Sequence, residues 1–507
     1  MKKLNQYIIC LFLLHVFLTS CNNFDDINTN PNAANNATPA LLATKLLLNI
    51  TKTGGSKNFV YDNFLSKQLA WGEGMESYQY NWFERTDFTD YKVLTNCAKM
   101  VEQASDDQKD AYQGLAYFMK AYKLFYFSLE VGDIPYSEAL QGEVDNIKPK
   151  YDTQKEVMLS ILDDLDKAYE SFSLANNFEG DPILKGNTDK WKKTITAFRL
   201  KVLINLSKKE SDPDLKVKER FARLVSSATL MESNDDNFQL VYADKANQVY
   251  PFHNTQTKHA GYSIMSSTII NVFKEYKDYR LFYYAKPAKV KTDEGIDASE
   301  WDAYIGINPA LPFENIKSDY SKGKFSGLNA RYTDLPSGEP LIRIGYAEQN
   351  FNLAEAALRG WISGDASVYY KKGIEASMNF IVDKTPDDVK YHYGRKLTPE
   401  VISDYLQSPA IQLGSDKEDN IKKVLTQKYL ASFLQHPYDA YYDYRRTGYP
   451  VLPIDPNTNL NTNKNMIPLR WMYPMTEYSF NKENVDEAVK RQFNGVDDIN
   501  KAMWILQ

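Results

Sequence analysis

The chain has 507 residues, with 60 basic and 66 acidic side chains and a net charge of −6, so no basic stripe suited to nucleic acid is expected. It is long enough for a large core. Three cysteines, spread along the chain, leave that core without a disulfide framework.

The first element is a targeting segment. Lys2 and Lys3 precede the apolar run YIICLFLLHVFLT, Tyr7 to Thr19, which has the length of a signal-peptide core and is short of the roughly 20 residues a spanning helix needs. Leu18-Thr19-Ser20-Cys21 resembles a bacterial lipobox: an apolar residue, two small ones, then the thiol that accepts the lipid. Residues 1–20 are therefore expected to be removed and Cys21 to be lipidated. More than one acyl chain makes a firm anchor. Residues 21–37 are rich in Asn, Asp, Pro and Ala and read as a flexible tether. Sixteen residues, from Asn22 to Ala37, reach about 55 Å when extended.

Helical periodicity dominates from there. TPALLATKLLLNITKTGG carries Thr38 as N-cap, Pro39 in the first turn and Gly54-Gly55 as a stop. YKVLTNCAKMV places Cys97 on an apolar helix face with Leu94 and Val101, with no partner for nucleophilic chemistry. The long segment from Asp107 ends near Gly132, and DTQKEVMLSILDDLDKAYESFS follows with Asp152 as cap and Val157, Ile161, Leu165 and Ala168 on one face. Further helices are expected in DKWKKTITAFRLKVLINLSKK, KVKERFARLVSSATLM, NIKKVLTQKYLASFL and NVDEAVKRQF. In LAEAALRGWISGDASVYYKKGIEASM, Ala356, Ala357 and Gly360 precede Ala366, Tyr370 and Gly373, which suits a tetratricopeptide-like hairpin with small residues at its crossing. Residues 237–340 have weak periodicity and many turn formers, and are expected to form a loop-rich insert with short strands.

Enzyme and metal motifs are missing. His253, His259, His392 and His436 lie outside any HExxH helix or metal-ligand spacing, and no nucleophile elbow, P-loop or dinucleotide fingerprint occurs. DPNTNLNTNKNM begins like a calcium loop but has Leu460 where glycine belongs and Met466 where glutamate belongs. No cofactor, metal or catalytic residue is expected.

VGDIPYSEAL, with PKYDTQKEVMLSILDDLDKA after it, resembles the SusD/RagB family of nutrient-binding outer-membrane lipoproteins. So do DYRLFYYAKP, YAEQNFNLAEAALRGW, YYKKGIEASM, DYRRTGYPVL and IPLRWMYPMTEYSFNKENVDEAV, which occur in the family's order. NNFDDINTNPNAA is typical of its starch-binding-associated subgroup. The resemblance implies a mostly α fold, with degenerate tetratricopeptide-like helix pairs forming one SusD-like domain over 38–507. It also implies a non-catalytic binder of glycan or peptide, acting as lid of a SusC-like TonB-dependent transporter at the outer membrane. Asp25 and Asp26 are loosely similar to the acidic tract that directs such lipoproteins to the cell exterior. A helical scaffold binding only protein is the alternative, and a surface glycan or peptide hydrolase a more distant one.

The ligand groove of the family varies, so its residues are sought by chemistry. The 36 tyrosines, 25 phenylalanines and 7 tryptophans suit sugar or peptide binding as well as packing. In WGEGMESYQYNWF an extended chain would put Tyr78, Tyr80 and Trp82 on one side and Gln79 and Asn81 on the other, with Trp71 upstream. Tyr250, Trp301, Tyr304 and Tyr320 of the insert, with Asn329 and Arg331, are the second candidate group. The alternative for both groups is burial in the core. In DYRRTGYP, Arg445 and Arg446 are expected to hold acids of neighbouring helices.

Overall fold

The computed structural model describes residues 37–55, 57–141 and 146–507. The signal segment, Cys21 and the tether up to residue 36 lie outside the described residues.

The chain opens with α1 (Pro39–Thr51), capped by the Thr38 hydroxyl, which accepts the Leu41 N–H. It ends at Thr51, ahead of the two glycines. After α2 (Asn58–Leu65) comes β1 (Leu69–Trp71), and then α3 (Thr95–Glu102), which buries Cys97. Burial pushes the Cys97 thiol up to about 12, so it is a packing group rather than a nucleophile.

The amino-terminal body is α4 (Lys109–Val131), α5 (Gln154–Leu174), α6 (Thr188–Asn205) and α7 (Val217–Ser227), with α4 packed along α5 and α5 along α6. Gly132 ends α4 at φ 99°, a conformation glycine adopts without strain. The cap of α5 is Thr153 rather than Asp152. Thr153 and Glu156 form a reciprocal capping box, while Asp152 turns back to accept the Tyr136 and Ser137 N–H groups, each at 2.8 Å. Thr153→Ala is expected to lower stability by about 1 kcal/mol in urea unfolding. Between these helices Trp191 stacks on Phe172 at 5.2 Å and donates its indole N–H to Asp181 at 2.9 Å.

The insert is more helical than its sequence suggests. It holds β2 (Phe238–Leu240), β3 (Ser263–Met265), α8 (Ser267–Tyr276), α9 (Arg280–Tyr284), α10 (Lys289–Asp293), α11 (Phe313–Ser321) and α12 (Arg331–Asp334). Of these helices, α9, α10 and α12 have only four or five residues, too few turns to show a period. Both strands pair outside the insert: β3 runs antiparallel to β1, and β2 to β4 (Leu341–Ile344).

The carboxy-terminal body comprises α13 (Tyr346–Arg359), α14 (Ala366–Asp383), α15 (Val389–His392), α16 (Pro399–Gln407), α17 (Lys417–Ala431), α18 (Pro437–Thr447), α19 (Met475–Phe480) and α20 (Lys482–Phe493). The expected hairpin is α13 on α14. A Cβ at Gly373 would lie 2.7 Å from the Phe351 ring, so the crossing needs a residue without one. Gly360 is not in that crossing; it ends α13 in the left-handed conformation.

Where α6, α13, α17 and α18 meet, the core is ionic. Arg446 grips both oxygens of Glu355, at 2.5 and 2.9 Å, and reaches Asp443 at 2.7 Å. Lys428 pairs with Asp443 at 2.8 Å, and Lys201 with Asp439 at 2.7 Å and Glu348 at 3.0 Å. Arg445 has no ion-pair partner among the described residues. It donates to the Leu469 and Leu129 carbonyls and lies 4.4 Å over the Tyr442 ring.

Candidate functional site

The residues after β1 do not run extended. Tyr78–Tyr80 forms a short 3₁₀ turn, closed by Asn81 in the left-handed region at φ 59°. Side chains on so tight a turn diverge, so the expected row of three rings on one side does not form. Gln79 is central to the turn: its carbonyl accepts the Trp71 N–H at 2.9 Å and its amide donates to Pro309 O at 3.1 Å. The Tyr80 hydroxyl donates to Leu311 O, and its carbonyl accepts the Leu460 N–H. Lys67 binds the same turn from beneath, with hydrogen bonds to Tyr78 O, Gln79 O and Asn81 Oδ1. Sequence reasoning passed over Lys67, and nothing in its local pattern marks it.

The rings chosen from the sequence now separate by exposure. Trp71 is fully buried, edge-on to Phe64. Tyr80 is buried, and Tyr78 is half-buried between Tyr61, Phe83 and Trp471. Tyr250 is buried against Phe59, and Tyr304 against Phe282. These buried rings have no free face for a ligand; packing takes them because their apolar area is worth most in the core. Trp301 is half-buried on Phe282 and Tyr279. Asn329 and Arg331 are buried as well, Asn329 on the Phe282 and Tyr391 carbonyls and Arg331 on Glu339. Tyr320 of α11 lies over Gly72, half-buried and stacked between Tyr262 and Phe325. Trp82 stands out at 48% exposed.

Trp82 borders a groove of about 550 Å³, with Glu84, Arg85, Thr462, Met472 and Asp498 on its walls. Its indole N–H donates to Glu84 Oε1 at 3.0 Å, which fixes the ring by one edge and leaves its face to solvent. Arg85 is held by Asp497 at 3.0 Å and Tyr473 O at 2.6 Å, and Asp497 is held in turn by Arg470 at 2.7 Å. Glu84 and Asp498 have no ion-pair partner among the described residues, so the groove is acidic. The far wall comes from the Asn-rich stretch considered above as a calcium loop. There the Asn459 amide donates to the Lys464 and Met466 carbonyls, and Asn461 to Met466 O, so these amides cross-link the loop. An aromatic face ringed by carboxylates, a guanidinium and a hydroxyl can stack on an apolar surface and hydrogen-bond hydroxyls around it.

On the other side of Phe83 and Trp471, a second cleft of about 270 Å³ is lined by Asp62, Glu130, Arg343, Tyr438 and Tyr442 among others. Desolvation pushes the Asp62 carboxyl up to about 6, against the pull of Arg343, and the Glu130 carboxyl up to about 7, against its bond from Thr86. Among the described residues no cluster suited to a metal ion occurs, and no helix is long and apolar enough to cross a membrane.

A family model described as starch-binding, associating with the outer membrane, matches residues 31–474. The chain belongs to the SusD-like family. A SusD homologue from Bacteroides fragilis is 63% identical, with 93% of this chain and 100% of that one covered, at a TM-score of 0.91. A second SusD homologue from the same species is 34% identical over 93% and 100% of the two chains, at a TM-score of 0.83. A chitin-binding SusD homologue from Flavobacterium johnsoniae is 20% identical over 92% and 98%, at a TM-score of 0.73, and shares the fold. Comparison with curated proteins gives no match. The mostly helical SusD-like fold read from the sequence is the fold observed, and the family is one that associates with the outer membrane.

Proposed function

We propose that this SusD-like chain is a non-catalytic glycan-binding lipoprotein, anchored to the outer membrane through Cys21 and facing the cell exterior. It acts as the lid of a SusC-like TonB-dependent transporter. The observation that carries the ligand reading is Trp82, an exposed aromatic face fixed by its edge at an acidic groove, in a chain whose family is described as starch-binding. Of the other rings chosen from the sequence, Tyr320 and Tyr78 are half-buried among neighbouring rings and do not line this groove. The groove's Glu84 and Asp498, which have no ion-pair partner among the described residues, favour neutral glycans over sulfated or uronic ones, because like charges repel.

The test is calorimetric titration of the protein with maltooligosaccharides, chitooligosaccharides, a sulfated glycan and oligopeptides, repeated with Trp82→Ala. Chitin fragments are included because a relative of the same fold is chitin-binding. Neutral-glycan affinity is expected to fall about tenfold to hundredfold in the variant, as for an aromatic anchor of a contact, with an unchanged melting temperature. Undiminished affinity in Trp82→Ala moves the ligand elsewhere. Binding of peptides alone changes the cargo class. Extraction in mild detergent is expected to bring down a large barrel partner, and its absence removes the transporter reading.

A further inference from the structure

Lys67 is 1% exposed and sits at φ 57° between α2 and β1. Among the described residues it has no carboxylate partner. Its ammonium meets Tyr78 O, Gln79 O and Asn81 Oδ1, each at 2.8 Å. An ammonium has three donors and no lone pair, and here three acceptors match it one for one. All three belong to the turn that delivers Trp82 to the groove, and Asn81 is the residue immediately before Trp82. The backbone at Lys67 is itself held, since Ser266 donates its hydroxyl to Lys67 O at 2.5 Å.

We infer that Lys67 is a positioning residue for the Trp82 groove: its buried ammonium ties down the 78–81 turn and so sets the indole against Glu84, and its neutral amine releases that turn. The consequence for ligand rests on the glycan reading of the groove; the consequence for Trp82 itself does not. A neutral amine has two N–H groups and a lone pair, so one of the three oxygens then faces a lone pair. Burial alone, with no acid to offset it, pulls the Lys67 ammonium down to about 7, which puts this exchange within reach of ordinary buffers.

The neighbouring elements contribute few other titrating groups. Tyr61 of α2, Tyr78 and Tyr80 of the turn and Tyr429 of α17 are all pushed further above neutrality by burial. Glu76 is engaged by Lys57 at 2.9 Å, and Lys464 of the Asn-rich loop donates to Asn459 O. Burial pushes the Asp62 carboxyl of α2 up to about 6, and His259, whose ring centre lies 6.1 Å from that of Trp71, precedes β3. Substitutions at these two positions are the controls for a transition that does not come from Lys67.

The experiment follows the fluorescence of Trp82, as the difference between the protein in mild detergent and its Trp82→Phe variant, from pH 5.5 to 9. Maltoheptaose affinity is measured at pH 6 and 8.5 in parallel. A single transition near pH 7 is expected, kept in His259→Gln and Asp62→Asn and absent in Lys67→Met. In Asn81→Asp, which sets a carboxylate beside the ammonium, the transition is expected to move up by one pH unit or more. This variant carries the test if Lys67→Met does not fold. No transition, or one indifferent to both Lys67→Met and Asn81→Asp, overturns the inference. Maltoheptaose binding is expected to be about tenfold tighter at pH 6 than at 8.5. Binding that needs Trp82 yet ignores pH also overturns the inference. A Lys67-dependent transition with no binding that depends on Trp82 leaves the positioning role standing and removes the glycan reading.

Discussion

Arg446→Ala is expected to lower the stability of the protein by about 3–5 kcal/mol, the range for removing one partner of a buried ion pair. The site leaves no room for rescue by water: Arg446 is 4% exposed and Glu355 is 1% exposed. Burial alone pushes the Glu355 carboxyl up, and the Arg446 guanidinium beside it more than reverses that, so the carboxyl stands below its usual range. Asp443 behaves alike, with Lys428 and Arg446 overcoming its burial. Both acids are thus ionised in the fold because cations hold them there, and truncation of Arg446 strands Glu355 with only Arg359, at 2.7 Å from one oxygen. The measurement is chemical unfolding at pH 7 and at pH 3. Because the folded values lie below the unfolded ones, this stabilisation is present above the unfolded carboxylate range and is lost as pH falls through the folded values. The penalty in Arg446→Ala is therefore expected to shrink at acid pH. An equal penalty at both pH values would mean that lost packing, rather than lost charge pairing, is what the variant measures.

Glu130→Gln is expected to act in the opposite direction and raise stability at pH 8 by about 2 kcal/mol. Desolvation in the second cleft lifts Glu130 from an ordinary value of 4.5 to about 7. One unit of such a shift corresponds to about 1.4 kcal/mol, and partial solvation of the cleft keeps the net effect below the full conversion. The folded protein then holds its proton more tightly than the unfolded chain. The unfavourable contribution begins as pH rises above the unfolded value and is complete above about 7. Glutamine keeps an oxygen for the Thr86 hydroxyl and carries no charge, so the gain should appear at pH 8 and vanish at pH 4. Melting temperatures at the two pH values decide it. A loss of stability at pH 8 would show that the charge of Glu130 is used, through Arg445 or Lys123, rather than tolerated.

Most of the helical architecture was legible because helix signals are local. The Thr38 cap, the Gly132 stop, the buried face of Val157, Ile161, Leu165 and Ala168, and the close approach at Gly373 each follow from spacings of a few residues. The Asp152 cap failed by one residue because Asp152 and Thr153 are both good caps, and the choice fell to Asp152's contact with the distant Tyr136 and Ser137 N–H groups. The candidate site was much less legible. Aromatic composition raised eight candidates, and local pattern had no means of telling Trp71, which the core takes, from Trp82, which it leaves at the surface.

The amino-acid sequence by itself determined the helix-rich fold and the resemblance to the SusD-like family, and it carries the expectation of an export signal and a lipobox, because each rests on local chemistry or on the order of short segments. The tertiary structure decided which rings are free, which acids are paired and where a groove opens. The groove at Trp82 is assembled from residues 81–85, 460–472 and 497–499, and the turn beneath it is held by Lys67 and by carbonyls at 309 and 311. Burial and charge pairing are properties of such long-range encounters, and no local window of the chain contains them.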